Sequence, residues 1–345
     1  MKAVYIESQG GVEVLQYGDL PEPQIGLYDV KVRVRACALN RLDVYTRSGG
    51  RGRNRDLTEP FILGIDIAGE VVEVGPEVTN TVVGQRVVLY PAVPCGQCRF
   101  CKAGQEHVCQ KRQMLGSTLN GGYAEYVVAP SINVYPISDS LSFEEAAAMP
   151  TTFLPVWTIL IKTAHLRPWH TVLVPSASAG VGAAAIQVGK NAVGATVIAT
   201  TSSPEKIQLA YDEGADYVID YTKENVAERV KEITNGEGVD AVVDHVGASF
   251  WPDGFASLTP GGYYGICGVT SGFKTELQMG AVFTKQVHIF GVSMGSQESM
   301  REIVNLANRG IIRGKVHKVF PLEQARQAHE MLEGMSFFGK LVLAP

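Results

Sequence analysis

From residue 171 onward the chain alternates short, wholly apolar runs with helical patterns, and few folds accept that rhythm. The runs are TVLVP (171–175), TVIAT (196–200), YVID (217–220), DAVVD (240–244), GYYGICG (262–268) and VHIFGV (287–292). Strands this apolar are buried on both faces, which requires helices above and below them. Helical patterns such as PEKIQLAYDE (204–213) lie between the runs, so the strands are expected to run parallel. The pattern predicts a doubly wound parallel sheet.

The first 135 residues have a different texture. KVRVRACAL (31–39), GIDIAGEVVEVG (64–75) and QRVVLYP (85–91) read as strands, with turns at Gly75-Pro76 and Gly84. Their spacing predicts a barrel-like β domain. Near residue 140 the segment SDSLSFEEAAAM opens a helix, with Ser142 and Glu145 placed as a capping box. After residue 293 come helices and a closing strand, GKLVLA (339–344), expected to return to the first domain. With 345 residues the chain can build two cores. The reading is an α/β protein: residues 1–150 with 286–345 form the β-rich domain, and residues 151–285 form the parallel-sheet domain.

Cys95, Cys98, Cys101 and Cys109 read C-x2-C-x2-C-x7-C within a lobe of about residues 91–112. Tetrahedral zinc takes four thiolates, and one loop here supplies all of them. Arg99, Lys102, Lys111 and Arg112 flank the cysteines and offset the negative charge of a four-thiolate zinc. With no coordination position left open, such a metal braces the lobe and does not catalyse. Only Cys37 and Cys267 remain, a usage that fits a reducing compartment. The N-terminal MKAVYIESQ lacks a signal-peptide core, and the longest apolar stretch, AAAMPTTFLPVWTILI, is broken by Pro150 and Pro155. A cytoplasmic protein without a membrane span is expected. A net charge of −5 offers no basic field for nucleic acid. The arginine-rich RSGGRGRNRD (47–56) reads as a surface loop first and an anion site second.

TVLVPSASAGVGAAAIQVGK (171–190) runs from a buried strand through small residues into a helix, a context in which backbone N–H groups hold a pyrophosphate. The glycine fingerprint is degenerate: Gly182 is its last member, and Ala177 and Ala179 stand at the first two glycine positions. Ser178, Ala179, Gly180, Val181 and Gly182 form the candidate cradle. The second strand ends in TTSSPEK (200–206) with no carboxylate to grip a ribose 2′-hydroxyl. Ser202, Lys206 and Tyr221 would instead favour a 2′-phosphate, so NADPH is expected over NADH, with Glu205 the one dissenting residue.

Together these pieces resemble the medium-chain dehydrogenase/reductases along essentially the whole chain, a superfamily of zinc alcohol dehydrogenases and zinc-free quinone oxidoreductases. Further landmarks are DHVGASF (244–250), GICGV (265–269), VSMGS (292–296) and GKLVL (339–343). The resemblance implies a GroES-like catalytic domain, a Rossmann domain, and an active site in the cleft between them. It implies a homodimer or homotetramer, and it adds Val246, Gly247, Gly268, Val269, Met294 and Gly295 to the cofactor contacts. The catalytic metal ligands of the zinc enzymes are absent. Asn40 stands in the place of a cysteine, Ile65 in that of a histidine with Asp66 for the adjoining glutamate, and Thr151 in that of the third ligand. There is also no histidine before His107.

Zinc lowers the pKa of bound water from about 15.7 to about 7, worth on the order of 10 kcal/mol if matched on an alcohol. A positioned hydrogen-bond donor is worth roughly 3–4 kcal/mol. The residues therefore predict hydride transfer from NADPH to electron-poor, apolar ketones, enones or quinones. Asn40 and Thr151 are expected to polarise the acceptor oxygen. Asp66, or water held by Asp43 and Tyr45, is the expected proton donor, with Ile65 and Ile67 raising the Asp66 pKa. Two alternatives stay open: a reversible alcohol dehydrogenase with an unforeseen metal site, and an NADPH-binding protein without turnover.

Overall fold

All six apolar runs form one parallel sheet. A computed structural model describes residues Met1–Pro345. The sheet contains Thr171–Val174, Thr196–Thr201, Tyr217–Asp220, Val239–Asp244, Leu258–Ile266 and His288–Gly291. Their spatial order is third, second, first, fourth, fifth, sixth. The order reverses between the first and fourth strands, and in such sheets ligands bind beyond the carboxyl ends at that point. Leu173, Ile198, Ile219, Val242 and Tyr264 pack against helix residues Val226, Val230 and Trp251. Ser203 caps the helix Pro204–Asp212, and Asn225 caps Val226–Ile233.

The chain divides into two units, Met1–Thr151 with Ser296–Pro345, and Thr152–Gly295. The return point thus lies at Ser296, not at residue 286 as expected from the sequence. The cause is the strand His288–Gly291, whose backbone pairs in register with Tyr263–Ile266 and keeps residues 286–295 in the parallel-sheet unit.

In the other unit the main sheet runs Val134–Pro136, Arg86–Leu89, Asp66–Val74, Asp29–Ala38, Lys340–Ala344, Val316–Pro321, and Tyr126–Pro130 also pairs with Asp29–Ala38. The closing strand returns here as expected, pairing antiparallel with Asp29–Ala38. Val30, Val32, Ile67, Leu89, Leu341 and Leu343 fill the core. The helix Phe143–Ala147 opens with the expected capping box, Ser142 and Glu145 exchanging bonds of 3.0 and 3.1 Å. Register also assembles the site. Ala38 pairs with both Asp66 and Val342. Two residues further along each antiparallel chain, Lys340 comes opposite Asn40.

Candidate functional site

The four cysteines converge, their sulfurs all within 4.8 Å of one another. The Sγ separations are 3.9 Å for Cys95–Cys101 and 3.5 Å for both Cys98–Cys101 and Cys95–Cys109. Tetrahedral zinc with Zn–S bonds of about 2.3 Å places its sulfurs about 3.8 Å apart, whereas a disulfide needs about 2.05 Å. The set fits zinc. Backbone N–H groups of Gln97 and Cys98 pull the Cys95 thiol down to about 6. Burial and the thiols of Cys98 and Cys109 push Cys101 up to about 12, so four thiolates need a cation among them.

Asn40, Asp66 and Thr151 also meet. The Asn40 amide donates to Asp66 Oδ2 at 3.0 Å and to the Ala38 carbonyl at 3.2 Å. Thr151 lies in the first turn of the helix Pro150–Trp157, where an N–H has no partner within the helix. That N–H donates to Asp66 Oδ1 at 3.2 Å, and the Thr151 hydroxyl bridges Asn40 Oδ1, at 2.6 Å, and Asp66 Oδ2. A fourth member was absent from the sequence reading. Lys340 Nζ donates to Asn40 Oδ1 at 2.5 Å and pairs with Asp66 Oδ2 at 3.5 Å. Its side chain is 7 % exposed and that of Asp66 is 0 % exposed, so this is a buried ion pair. Burial pushes the Asp66 carboxyl up, as its apolar flanks predicted, while Lys340, Thr151 and Asn40 pull it back. Both amide protons of Asn40 are spent inward. The expected Asn40 donor to an acceptor oxygen is therefore not present in this arrangement.

The expected water site between Asp43 and Tyr45 is not formed. Residues two apart on a helix face different ways. Asp43 is fully buried and accepts the N–H of Asn40 at 2.7 Å and of Gly64 at 3.2 Å. Tyr45 is only partly covered, and its ring carries the Arg51 guanidinium 4.3 Å away. Gly64 has φ +99°, and a Cβ there would fall 2.5 Å from the Tyr123 ring, so glycine is required for the approach to Asp43.

In the parallel-sheet unit, Ser176 adopts φ +49° to turn the chain out of the first strand. A Cβ on Gly182 would lie 2.4 Å from the Ser176 carbonyl, so this glycine serves close helix–turn packing. The helix Gly180–Gln187 has no side-chain cap, leaving its first N–H groups for a phosphate. Val246 and Gly247 follow the fourth strand, Gly268 and Val269 the fifth, and Met294 and Gly295 the sixth. His245, buried beside them, makes no hydrogen bond of normal geometry through either ring nitrogen, and burial pushes its pKa down to about 4. These carboxyl-end groups fit a dinucleotide.

Two family models match the chain: an alcohol dehydrogenase GroES-like domain over residues 26–139 and a zinc-binding dehydrogenase over residues 180–309. An NAD-dependent alcohol dehydrogenase of Sulfolobus acidocaldarius is 31 % identical over 99 % of both chains. A quinone oxidoreductase of Pseudomonas aeruginosa is 34 % identical over 100 % of this chain and 99 % of its own. The chain belongs to the medium-chain dehydrogenase/reductases. A crystal structure of an NAD-dependent alcohol dehydrogenase superposes on this dehydrogenase with a TM-score of 0.95 at 41 % identity, covering 100 % of each chain. The family membership makes the chain an oxidoreductase with small-molecule substrates.

Beneath the site this dehydrogenase carries a polar chain that the sequence did not reveal. Arg47 Nη1 donates to His329 Nδ1 at 3.1 Å, and His329 Nε2 lies 3.1 Å from the Tyr123 hydroxyl. Arginine can only donate, so Nδ1 accepts and Nε2 carries the proton toward Tyr123. The Tyr123 hydroxyl then turns to Asp43, the other group within its reach. Burial, then Arg47, pushes His329 down to about 3, keeping the imidazole neutral. Arg47 is itself paired with Glu333 at 2.5 Å and buried. It belongs to the helix Arg41–Ser48, not to the surface loop expected at 47–56. Burial pushes Asp43 up to about 7 against these donors.

Proposed function

We propose that this dehydrogenase reduces electron-poor, fairly apolar ketones, enones or quinones with NADPH and without a catalytic metal. The observation that carries this is the Lys340 ammonium, held by Asn40 and Asp66 among the residues that stand where metal ligands would. An amide, a hydroxyl and one carboxylate already neutralised by a lysine match zinc poorly, since zinc favours thiolate and imidazole. The bound nicotinamide supplies the hydride. Lys340 has three N–H donors, of which Asn40 and Asp66 take two, leaving one for an oxygen that gains negative charge. Burial raises the Asp66 pKa, but Lys340 holds Asp66 as a carboxylate, so the proton taken up by the reduced acceptor comes from the Lys340 ammonium that faces it and not from Asp66.

A fixed ammonium supplies roughly the 3–4 kcal/mol of an aimed donor, far below what a zinc gives a bound alcohol. Reduction of activated acceptors is therefore favoured over oxidation of simple alcohols. Steady-state assays should show NADPH-dependent turnover of a quinone or enone at least about 100-fold above NADP-dependent oxidation of a simple secondary alcohol. Comparable rates would establish the reversible alcohol dehydrogenase instead. Tight NADPH binding with no turnover across the panel would establish a nucleotide-binding protein.

The NADPH preference rests on residues and not on relatives. The second strand ends at Thr201 without a carboxylate, Ser203 is spent capping the next helix, and Lys206 lies in its first turn. Asp220, the acid at the end of the third strand, is tied to Thr222 at 2.6 Å and Lys223 at 2.9 Å. Tyr221 beside it is half exposed. Lys206→Glu should raise the KM for NADPH about tenfold or more and leave that for NADH within about twofold, a difference of about 1.4 kcal/mol. Equal kcat/KM for the two cofactors in the unaltered protein would overturn the preference.

A homodimer or homotetramer completes the reading. The strand His288–Gly291 ends the sheet with one side unpaired, and Phe273, Met279 and Phe283 stand 68–80 % exposed in the same unit. Six cysteines without a disulfide among them fit a cytoplasmic setting, and no helix is long and apolar enough to cross a membrane.

A further inference from the structure

We propose that Arg53 and Arg55, gathered on Ser117, form a subsite for an anionic group, phosphate or carboxylate, at the far end of the acceptor. This deepens the reductase reading and rests on it. The arginine-rich loop is pinned in place. Gln9 Nε2 donates to the carbonyls of Thr46 at 2.7 Å and Arg53 at 2.9 Å, and the Arg55 N–H donates to Gln9 Oε1 at 2.9 Å. Arg53 Nη1 donates to the Ser117 hydroxyl at 2.9 Å, and Arg55 Nη1 donates to the Ser117 carbonyl. Ser117 is buried, and the Arg55 guanidinium lies over the Phe61 ring, 4.4 Å from its centroid.

Two like charges are thus drawn onto one serine, and neither has an ion-pair partner. The loop acids Asp56 and Glu59 are exposed and pair with neither arginine. Arg112, which donates to the His107 carbonyl, adds a third positive charge within range of Arg53. Burial and then the fields of Arg112 and Arg55 pull the Arg53 pKa down, as an uncompensated cation requires. Each of Arg53 and Arg55 keeps four of its five N–H donors free of the serine, in a planar fork that matches phosphate or carboxylate oxygens. An anion is the partner that this arrangement lacks.

The helix Arg41–Ser48 begins beside Asn40 and ends at the arginine loop. At 1.5 Å per residue its length is about 12 Å. An acceptor that reaches both sites would be an extended molecule, with its reactive carbonyl at Lys340 and its anion at Arg53 and Arg55, on the order of that helix length away.

The test uses three medium-chain enones that differ at the far end: a phosphate, a carboxylate and an uncharged methyl ester. The NADPH-loaded protein is assayed with each, and inorganic pyrophosphate is titrated into it by calorimetry. The charged enones should exceed the ester in kcat/KM by about 10–100-fold through KM, the worth of one charge-assisted contact. Arg53→Ala and Arg55→Ala should erase that preference and leave the ester within about twofold. Arg53→Lys should keep part of it. The two charged arms then show which anion is preferred. Equal kcat/KM for all three enones, or a preference that survives both alanine variants, overturns the subsite while the reductase reading stands. If no enone is reduced, the reductase reading fails and the titration decides. Pyrophosphate binding that both variants abolish supports the subsite, and binding that is absent or unchanged refutes it.

Discussion

Lys340→Met should lower kcat for a quinone or enone by about 10²–10³-fold, the range seen when one aimed donor is removed from a charge-stabilising site. It should also destabilise the fold by roughly 3–5 kcal/mol, because Asp66 keeps its buried carboxylate and loses its cation. The two effects are separable. Pairing Lys340→Met with Asp66→Asn removes the uncompensated charge and should recover most of the stability, read by denaturant midpoint. Turnover should not recover, because no ammonium is left to face the acceptor oxygen. Turnover within threefold of the unaltered protein in the Lys340→Met single variant would reduce Lys340 to a packing element.

Removal of the metal from the cysteine lobe is the second large effect. Structural zinc contributes roughly 10–16 kcal/mol of apparent binding energy in zinc-finger peptides, an upper bound for a lobe held at both ends. The lobe is tied down by the pairing of Ala92–Val93 with Gln113–Met114 and by Glu106, which accepts the Gln297 N–H at 2.5 Å. A net loss of about 3–5 kcal/mol is therefore expected on chelation or Cys98→Ser. At about 2–4 °C per kcal/mol, the melting temperature falls by about 10 °C. Amide exchange should show lost protection across residues 91–112. An unchanged melting temperature in fully demetallated protein would mean that the four thiols pack without a cation.

The fold was legible because its signals are local. Six apolar runs, the Ser142–Glu145 capping box and the cysteine spacing each act over a few residues. The lower layers of the site were not, because register across distant strands builds them. Lys340 stands 300 residues from Asn40, and only the pairing of Val342 with Ala38 brings it opposite. Its one sequence signal was a lysine opening an otherwise apolar closing strand. Arg47 and His329 are 282 residues apart, and each reads alone as an ordinary surface residue. Asn40, Asp66 and Thr151 were found from the missing ligands. Their mutual bonding was not, and it turns the Asn40 amide inward.

The central claim is that one metal braces this dehydrogenase and none takes part in its chemistry. Metal analysis of active protein purified without chelators tests it most directly. The account predicts one zinc per chain, released in step with titration of the four clustered thiols. A second equivalent that survives in active protein and is lost together with turnover would contradict it.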